Sequence, residues 1–252
     1  MRNIKQNELF SYKMKSIELE NIDVPIKDED LFLKGTIYSR PNTPKKAPFM
    51  INLAGLLDHR ESYFVKFFTE KFVDAGFYVL SYDYRAHGET KKQTGSRWDR
   101  MAVQIFSDIQ VVIDWVLTHQ SYRLLEEKII LFGRSMGGAI ILTQGFLNKK
   151  VKALIALCTR YDYHTTTIKF QEDIIQKISP KYFLKNMPSN NKRILIAHCK
   201  DDNRIPFSNL SLIKKQLSLN AENVIQFEEG GHSFKGHRED IFNASLKFIK
   251  KI

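Results

Sequence analysis

The sequence predicts an α/β fold: a mostly parallel, eight-stranded sheet with helices on both faces and a short inserted segment. Three observations lead there. Short apolar runs alternate with amphipathic stretches from residue 47 to the C-terminus, as expected when strands buried on both faces are joined by crossover helices. Hydrophobic residues make up 43% of the chain and charged residues 27%, enough apolar surface to offset the ordering entropy of a folded core. No linker, internal repeat or low-complexity tract divides the 252 residues, so residues 1–252 are expected to form one domain.

The elements follow in order. "SIELENIDVPI" and "LFLKGTIYS" are β-rich and precede the proline-containing turn "RPNTPKKAP", which reads as an opening antiparallel hairpin. Met50–Ala54 in "PFMINLAG" is a buried strand, and "SYFVKFFTEKFVDAG" has apolar residues at helical spacing with a glycine where the helix should stop. The alternation continues through the strand "FYVLSYD", the helix "MAVQIFSDIQVVIDWVLTH", the strand "KIILFG" and the helix "GGAIILTQGFL". Strands "VKALIALC" and "RILIAHC", helix "FSNLSLIKKQL", strand "NVIQFEE" and a helix over residues 238–252 complete the pattern. Residues 159–192 break the rhythm. This segment holds Tyr161, Tyr163, His164, Phe170, Tyr182 and Phe183 among polar residues and is longer than an ordinary connection. It is expected to form a lid over the sheet edge, with a ragged crossover helix as the alternative.

Net charge is +11, but the lysines are scattered and no basic helix or finger gathers them. The expectation is a solvated lysine surface without a nucleic-acid partner. The N-terminus lacks the apolar run of a signal peptide, and no stretch approaches the ~20 apolar residues of a membrane span. A cytoplasmic protein without membrane contact is the default expectation, with Met14 as an alternative start. Cys158 and Cys199 each close an apolar run and form no C-x-x-C pair, which favours buried free thiols over a disulfide or metal site.

Chemistry is concentrated in "LFGRSMGGAI". Gly133-x-Ser135-x-Gly137 stands between an apolar run and an apolar helix, the strand–turn–helix setting of a nucleophile elbow. A sharp turn there strains the serine backbone and brings helix against strand, so side chains at the two glycine positions would clash. The five-residue pattern alone is weak; its setting is what raises it. A serine hydroxyl needs a base, and the base needs a carboxylate to hold its tautomer. Asp202 in "LIAHCKDDNRIP" follows a strand directly and is preferred to Asp201, although either could serve as a loop cap. His232 in "FEEGGHSF" follows the last strand on a glycine-bearing loop and is preferred to His237, which is read as a solvated helix-start residue. The oxyanion needs two N–H donors: one from Met136 at the helix start, and one from the loop after "FMINLAG", where Leu56 is the candidate. Arg134 is left open between pairing with an acid, touching substrate and facing solvent.

With these residues in place the chain resembles the α/β-hydrolase superfamily over almost its full length. "GRSMGG" is similar to the family's elbow, "SYDYRAHGET" to its D-x-R-G-H-G-x-S loop, "HCKDDNRIP" to its acid loop and "GGHSF" to its histidine loop. The resemblance implies a Ser135–Asp202–His232 triad. It departs at Ala54, where the family usually places His; at Cys199, where glycine is usual; and at Ala86, which replaces a glycine beside His87, read here as structural. Within the superfamily the chain looks like small carboxylesterases of the feruloyl or cinnamoyl esterase and dienelactone-hydrolase-like type. The expected activity is hydrolysis of a small-molecule ester through an acyl-enzyme, with no cofactor and no metal. The alternatives are an acylpeptide or prolyl-oligopeptidase-like peptidase, suggested by the arginine before the serine, and an idle scaffold that serves as a binding module.

Overall fold

The computed structural model describes residues 16–252; Met14 lies outside them. Eight strands form one sheet in the order β1-β2-β4-β3-β5-β6-β7-β8. They are β1 (Glu18–Pro25), β2 (Phe32–Ser39), β3 (Ala47–Leu53), β4 (Tyr78–Tyr82), β5 (Leu124–Arg134), β6 (Val151–Leu157), β7 (Ile194–Cys199) and β8 (Val224–Phe227). β1 and β2 pair antiparallel, as do β2 and β4. All other neighbours are parallel. The opening hairpin and the parallel remainder match the sequence expectation.

Side-chain alternation divides the apolar residues between the two faces. Phe49, Ile51, Ile129, Leu131, Leu154 and Ala156 join one core layer, while Met50, Ile130, Phe132, Ile155 and Leu157 join the other. The first layer is closed by helix α2 (Ala102–His119) through Ile105, Ile109, Val112 and Val116. The second is closed by α1 (Tyr63–Asp74) and α6 (Arg238–Ile249), where Phe68 and Phe72 meet Phe132 at ring separations of 4.7 and 5.3 Å. α1 ends at Ala75, and Gly76 then turns the chain at φ +89°, a conformation that favours glycine. Helix α3 (Met136–Ile140) runs on into a π-helical turn, Ile141–Gly145.

The segment 159–192 carries a helix, α4 (Glu172–Ile178), flanked by single 3₁₀ turns at Tyr163–Thr165 and Pro180–Tyr182. It is anchored as well as exposed. Ile175, Ile178 and Tyr163 belong to the first core layer, and the Tyr163 ring meets Phe106 of α2 edge-on at 5.9 Å. Helix α5 (Ser208–Leu217) joins β7 to β8. The central strand β3 lies between β4 and β5, so chain direction away from it switches there. The loops after β3 and β5 therefore open a crevice at the carboxyl ends of the strands. No helix of the described residues is long and apolar enough to cross a membrane.

Candidate active site

The turn from β5 into α3 holds Ser135 at φ 59°, ψ −116°. This is a sparsely populated region for a residue with a side chain, and it persists only where surrounding contacts enforce it. Three contacts do so. The Ser135 N–H donates to the Leu157 carbonyl of β6 at 2.8 Å, and the Ser135 carbonyl accepts from Ala139 N–H at 3.0 Å. The glycines supply the third: a Cβ on Gly137 would lie 2.5 Å from the Leu53 carbonyl oxygen and 2.7 Å from that of Ala54, and one on Gly133 would lie 2.9 Å from Leu53 Cβ. Both glycines thus let α3 lie against the end of β3, as the sequence pattern required.

That contact positions the loop carrying Leu56. The Ala54 carbonyl accepts from the Tyr84 hydroxyl at 2.8 Å, and Asp58 N–H closes a turn onto the Gly55 carbonyl at 3.2 Å. Leu56 and Met136 line the same cleft as Ser135, and among the described residues no acceptor is paired with either N–H. The departure at Ala54 therefore leaves the loop anchored by its backbone.

The two aspartates divide their work. Asp202 Oδ2 accepts from His232 Nδ1 at 2.8 Å and lies 3.1 Å from His198 Nε2, while Oδ1 accepts the N–H groups of Arg204 and Ile205 at 2.9 and 3.0 Å. Burial alone would raise its pKa. The hydrogen bonds from His198, His232 and Ile205 prevail and hold the carboxyl well below the usual range. Asp201 takes the capping role that was open to either residue, accepting from Gly230 N–H at 3.1 Å and Gly231 N–H at 2.8 Å. These glycines, at φ 122° and 59°, begin the turn that presents His232. With Nδ1 donating to Asp202, the His232 Nε2 is left as an acceptor, and His232 lines the cleft with Ser135.

Three features escaped the sequence reading. His198 has two acceptors within reach of Nε2, Asp202 and the Ile205 carbonyl at 2.9 Å, so that nitrogen carries the proton. Its only signal was a polar residue inside an otherwise apolar strand. Arg134 is not at the solvent surface. Its buried guanidinium donates to Asp58 at 2.5 Å and to Ser233 Oγ at 2.9 Å, and sits 4.2 Å over the Phe64 ring. It therefore ties the elbow to the Leu56 loop and to the histidine loop. Cys158, at φ 45°, brings a thiol within 4.8 Å of Asp202 and His232 ligand atoms. Burial keeps this thiol well above its ordinary pKa, so it is a neutral neighbour. Cys199 is pushed up to about 12 by burial and by Asp201 and Asp202. Both are free thiols, as expected from their spacing.

His87 is buried with neither ring nitrogen hydrogen-bonded in the structure, and burial lowers its pKa to about 4. It packs edge-on against Tyr84 at 5.3 Å, in keeping with a structural reading. His237 begins α6 but is half-buried and stacked on Phe227 at 4.2 Å, a correction to the solvated position expected for it.

The cleft has a volume of about 460 Å³. Beside Ser135 and His232 its walls include Trp98, Tyr163, Ile168 and Phe170, with Trp98 and Phe170 edge-on at 5.8 Å. A larger hollow of about 690 Å³, lined by Leu195, Asn223 and Phe248 among others, contains none of these residues.

A family model described as "Serine aminopeptidase, S33" matches residues 44–225. The quorum-quenching protein AidA of Acinetobacter baumannii is 26% identical over 141 residues, which cover 54% of this chain and 43% of that protein. The match thus spans less than half of that relative's length. Among solved structures, Est1E from Butyrivibrio proteoclasticus bound to ferulic acid superposes with a TM-score of 0.75 at 18% identity, covering 91% of this chain and 98% of that one. The acylaminoacyl peptidase of Pyrococcus horikoshii superposes at 0.71 and 19% identity, covering 97% of this chain and 43% of that one.

Proposed function

The chain belongs to the serine aminopeptidase S33 family and is a serine hydrolase of the α/β-hydrolase type, and from that premise we propose that it is a carboxylesterase using Ser135, His232 and Asp202. The observation that carries the reading is the Asp202–His232 hydrogen bond of 2.8 Å in the same cleft as a serine held at φ 59°. His232 Nε2 takes the Ser135 proton as Oγ attacks the ester carbonyl, and Asp202 stabilises the imidazolium that forms. The Leu56 and Met136 N–H groups receive the oxyanion, a term worth a few kcal/mol of barrier. His232 then protonates the leaving alcohol, and water activated by the same ring releases the acid. The segment 159–192 is the lid in this reading. Trp98, Tyr163 and Phe170 offer ring faces and edges to a planar acyl group.

Charge in the cleft favours an ester over an N-terminal peptide. An aminopeptidase must hold its substrate's ammonium group, which calls for free carboxylates. The charged cleft residues are Arg134, Arg160, Arg204 and Asp58, and Asp58 is already paired with Arg134. The peptidase reading rests on the family description and on the likeness to an acylaminoacyl peptidase.

Two measurements test the assignment. A fluorophosphonate probe is expected to label the protein stoichiometrically and to lose its target in Ser135→Ala; undiminished labelling of that variant overturns the nucleophile. With matched p-nitrophenyl ester and p-nitroanilide substrates, ester turnover is expected to dominate. Faster amide cleavage would transfer the reading to a peptidase.

A further inference from the structure

We propose that Arg160 and Arg204 form an anion subsite of the cleft, so that the preferred ester carries a second, ionised carboxylate. This rests on the esterase reading of the same site. Both residues line the cleft that contains Ser135 and His232. They come from different loops: Arg160 follows β6 at the start of the inserted segment, and Arg204 lies two residues beyond Asp202.

Arg160 is held by neutral acceptors. Its guanidinium donates to Thr165 Oγ1 at 2.9 Å, to the Thr165 carbonyl at 3.3 Å and to the Arg204 carbonyl at 3.3 Å. Among the described residues neither guanidinium is paired with a carboxylate; the contact of Arg204 with Asp202 is made by its backbone N–H. The contrast within the same cleft is Arg134, which is buried and neutralised by Asp58. The acid nearest in sequence to Arg160 is Asp162, which is occupied by Lys181 at 2.6 Å and His164 at 2.7 Å.

Carbonyl and hydroxyl acceptors orient a guanidinium without cancelling its charge. Three bonds leave further N–H donors of its five, and a planar fork matches a carboxylate in two parallel bonds. A substrate carboxylate would supply the ion-pair partner that neither guanidinium has among the described residues. Thr167, a hydroxyl-bearing residue, lines the same cleft. The chemical class is the monoester of a dicarboxylic acid, or an ester whose alcohol part bears a carboxylate.

The test uses the full-length protein and two esters of equal chain length, p-nitrophenyl hydrogen adipate and p-nitrophenyl hexanoate. The readout is the ratio of their kcat/KM values, in which any general loss of activity cancels. The ratio is expected to exceed 1 at low salt, to shrink as salt rises, and to fall about tenfold or more in Arg160→Gln/Arg204→Gln. Arg160→Lys keeps the charge without the fork and is expected to give an intermediate ratio. A ratio below 1 in the unsubstituted protein, or one unmoved by the double substitution, overturns the subsite. Direct binding to Ser135→Ala protein separates this from the esterase reading. If neither ester is turned over, the esterase reading fails. The subsite still stands if the adipate monoester binds more tightly than the hexanoate and loses that advantage with both arginines replaced, and it falls if the two bind alike.

Discussion

The strand edge that carries Ser135, Asp202 and His232 and the segment 159–192 that walls the same cleft are held in opposite ways. At the edge, backbone groups do most of the holding. Ser135 is bonded through its N–H and carbonyl, Asp202 Oδ1 takes two backbone N–H groups, and Asp201 takes two more from the histidine loop. In the wall, side chains do most of it: Tyr163 against Phe106, Phe170 against Trp98, Arg160 on Thr165, His164 between Asp162 and Glu172. Groups held by backbone are pre-organised for chemistry at little side-chain entropy cost. Groups held by side chains can be exchanged residue by residue, which suits a surface that selects substrates.

The largest test separates the two aspartates of the edge. Asp202→Asn keeps the shape and removes the charge that fixes the His232 tautomer, and is expected to lower kcat by about 10³–10⁴-fold. Asp201→Asn loosens the Gly230–Gly231 turn without touching the ring. It is expected to cost roughly tenfold, short of the ~10²-fold that a 1 Å misplacement produces. Steady-state rates on one p-nitrophenyl ester decide this. Equal losses would mean that the two carboxylates act as one unit.

The same contrast governs what could be read from the sequence. The elbow was legible because Gly133 and Gly137 satisfy a local steric condition, visible as spacing and now measurable as the 2.5 Å approach of a Gly137 Cβ to Leu53. Asp202 and His232 were legible because each stands in the short loop that follows its strand. Arg134 was not, because Asp58 and Ser233 reach it from loops 76 and 99 residues away. His198 was hidden for a related reason: its partner Ile205 offers a carbonyl, which leaves no mark on side-chain pattern. The wall was legible only as an interruption of the α/β rhythm. Its aromatic residues divide between core and cleft, with Tyr163 taking part in both, and spacing carries no record of that division.

A second test compares one small change in each region. Gly137→Ala adds a single methyl where two backbone carbonyls stand, so the end of β3 and the Leu56 loop must move. The expected cost is about 3 kcal/mol of stability, with loss of turnover even in the fraction that folds. Phe170→Ala removes a whole ring from the half-buried wall and is expected to cost less, about 1–2 kcal/mol, with its main effect on KM for aromatic esters. Denaturant midpoints and KM values measured side by side check the order. A milder effect for the added methyl than for the lost ring would break the contrast.

The last test concerns two histidines, His87 near the strand edge and His164 in the wall, which respond to pH with opposite sign. His87, on the loop after β4, is buried and its pKa is lowered to about 4. Above pH ~6.5 both folded and unfolded chains leave it neutral; between ~6.5 and 4 only the unfolded chain takes up the proton. Stability therefore falls with acidification by about 2 kcal/mol from pH 6.5 to 5, and His87→Leu is expected to flatten that limb. His164 stands in the exposed wall with Nδ1 2.7 Å from Asp162 and Nε2 2.8 Å from Glu172. Both nitrogens must donate to make both bonds, which requires the imidazolium, and its hydrogen bonds to the Asp162 and Glu172 carboxylates raise its pKa. Its contribution is present at pH values below the ordinary ~6.5 of histidine and is lost as pH rises through the raised value. Limited proteolysis within residues 159–192 should accordingly quicken from pH 6 to pH 9. His164→Gln, which cannot carry the charge, should cleave at the faster rate throughout, while cleavage elsewhere in the chain stays constant. A His164→Gln profile that still quickens with pH would assign the loosening to another group in the wall. Asp162 and Lys181, themselves paired at 2.6 Å, would then be the next residues to replace.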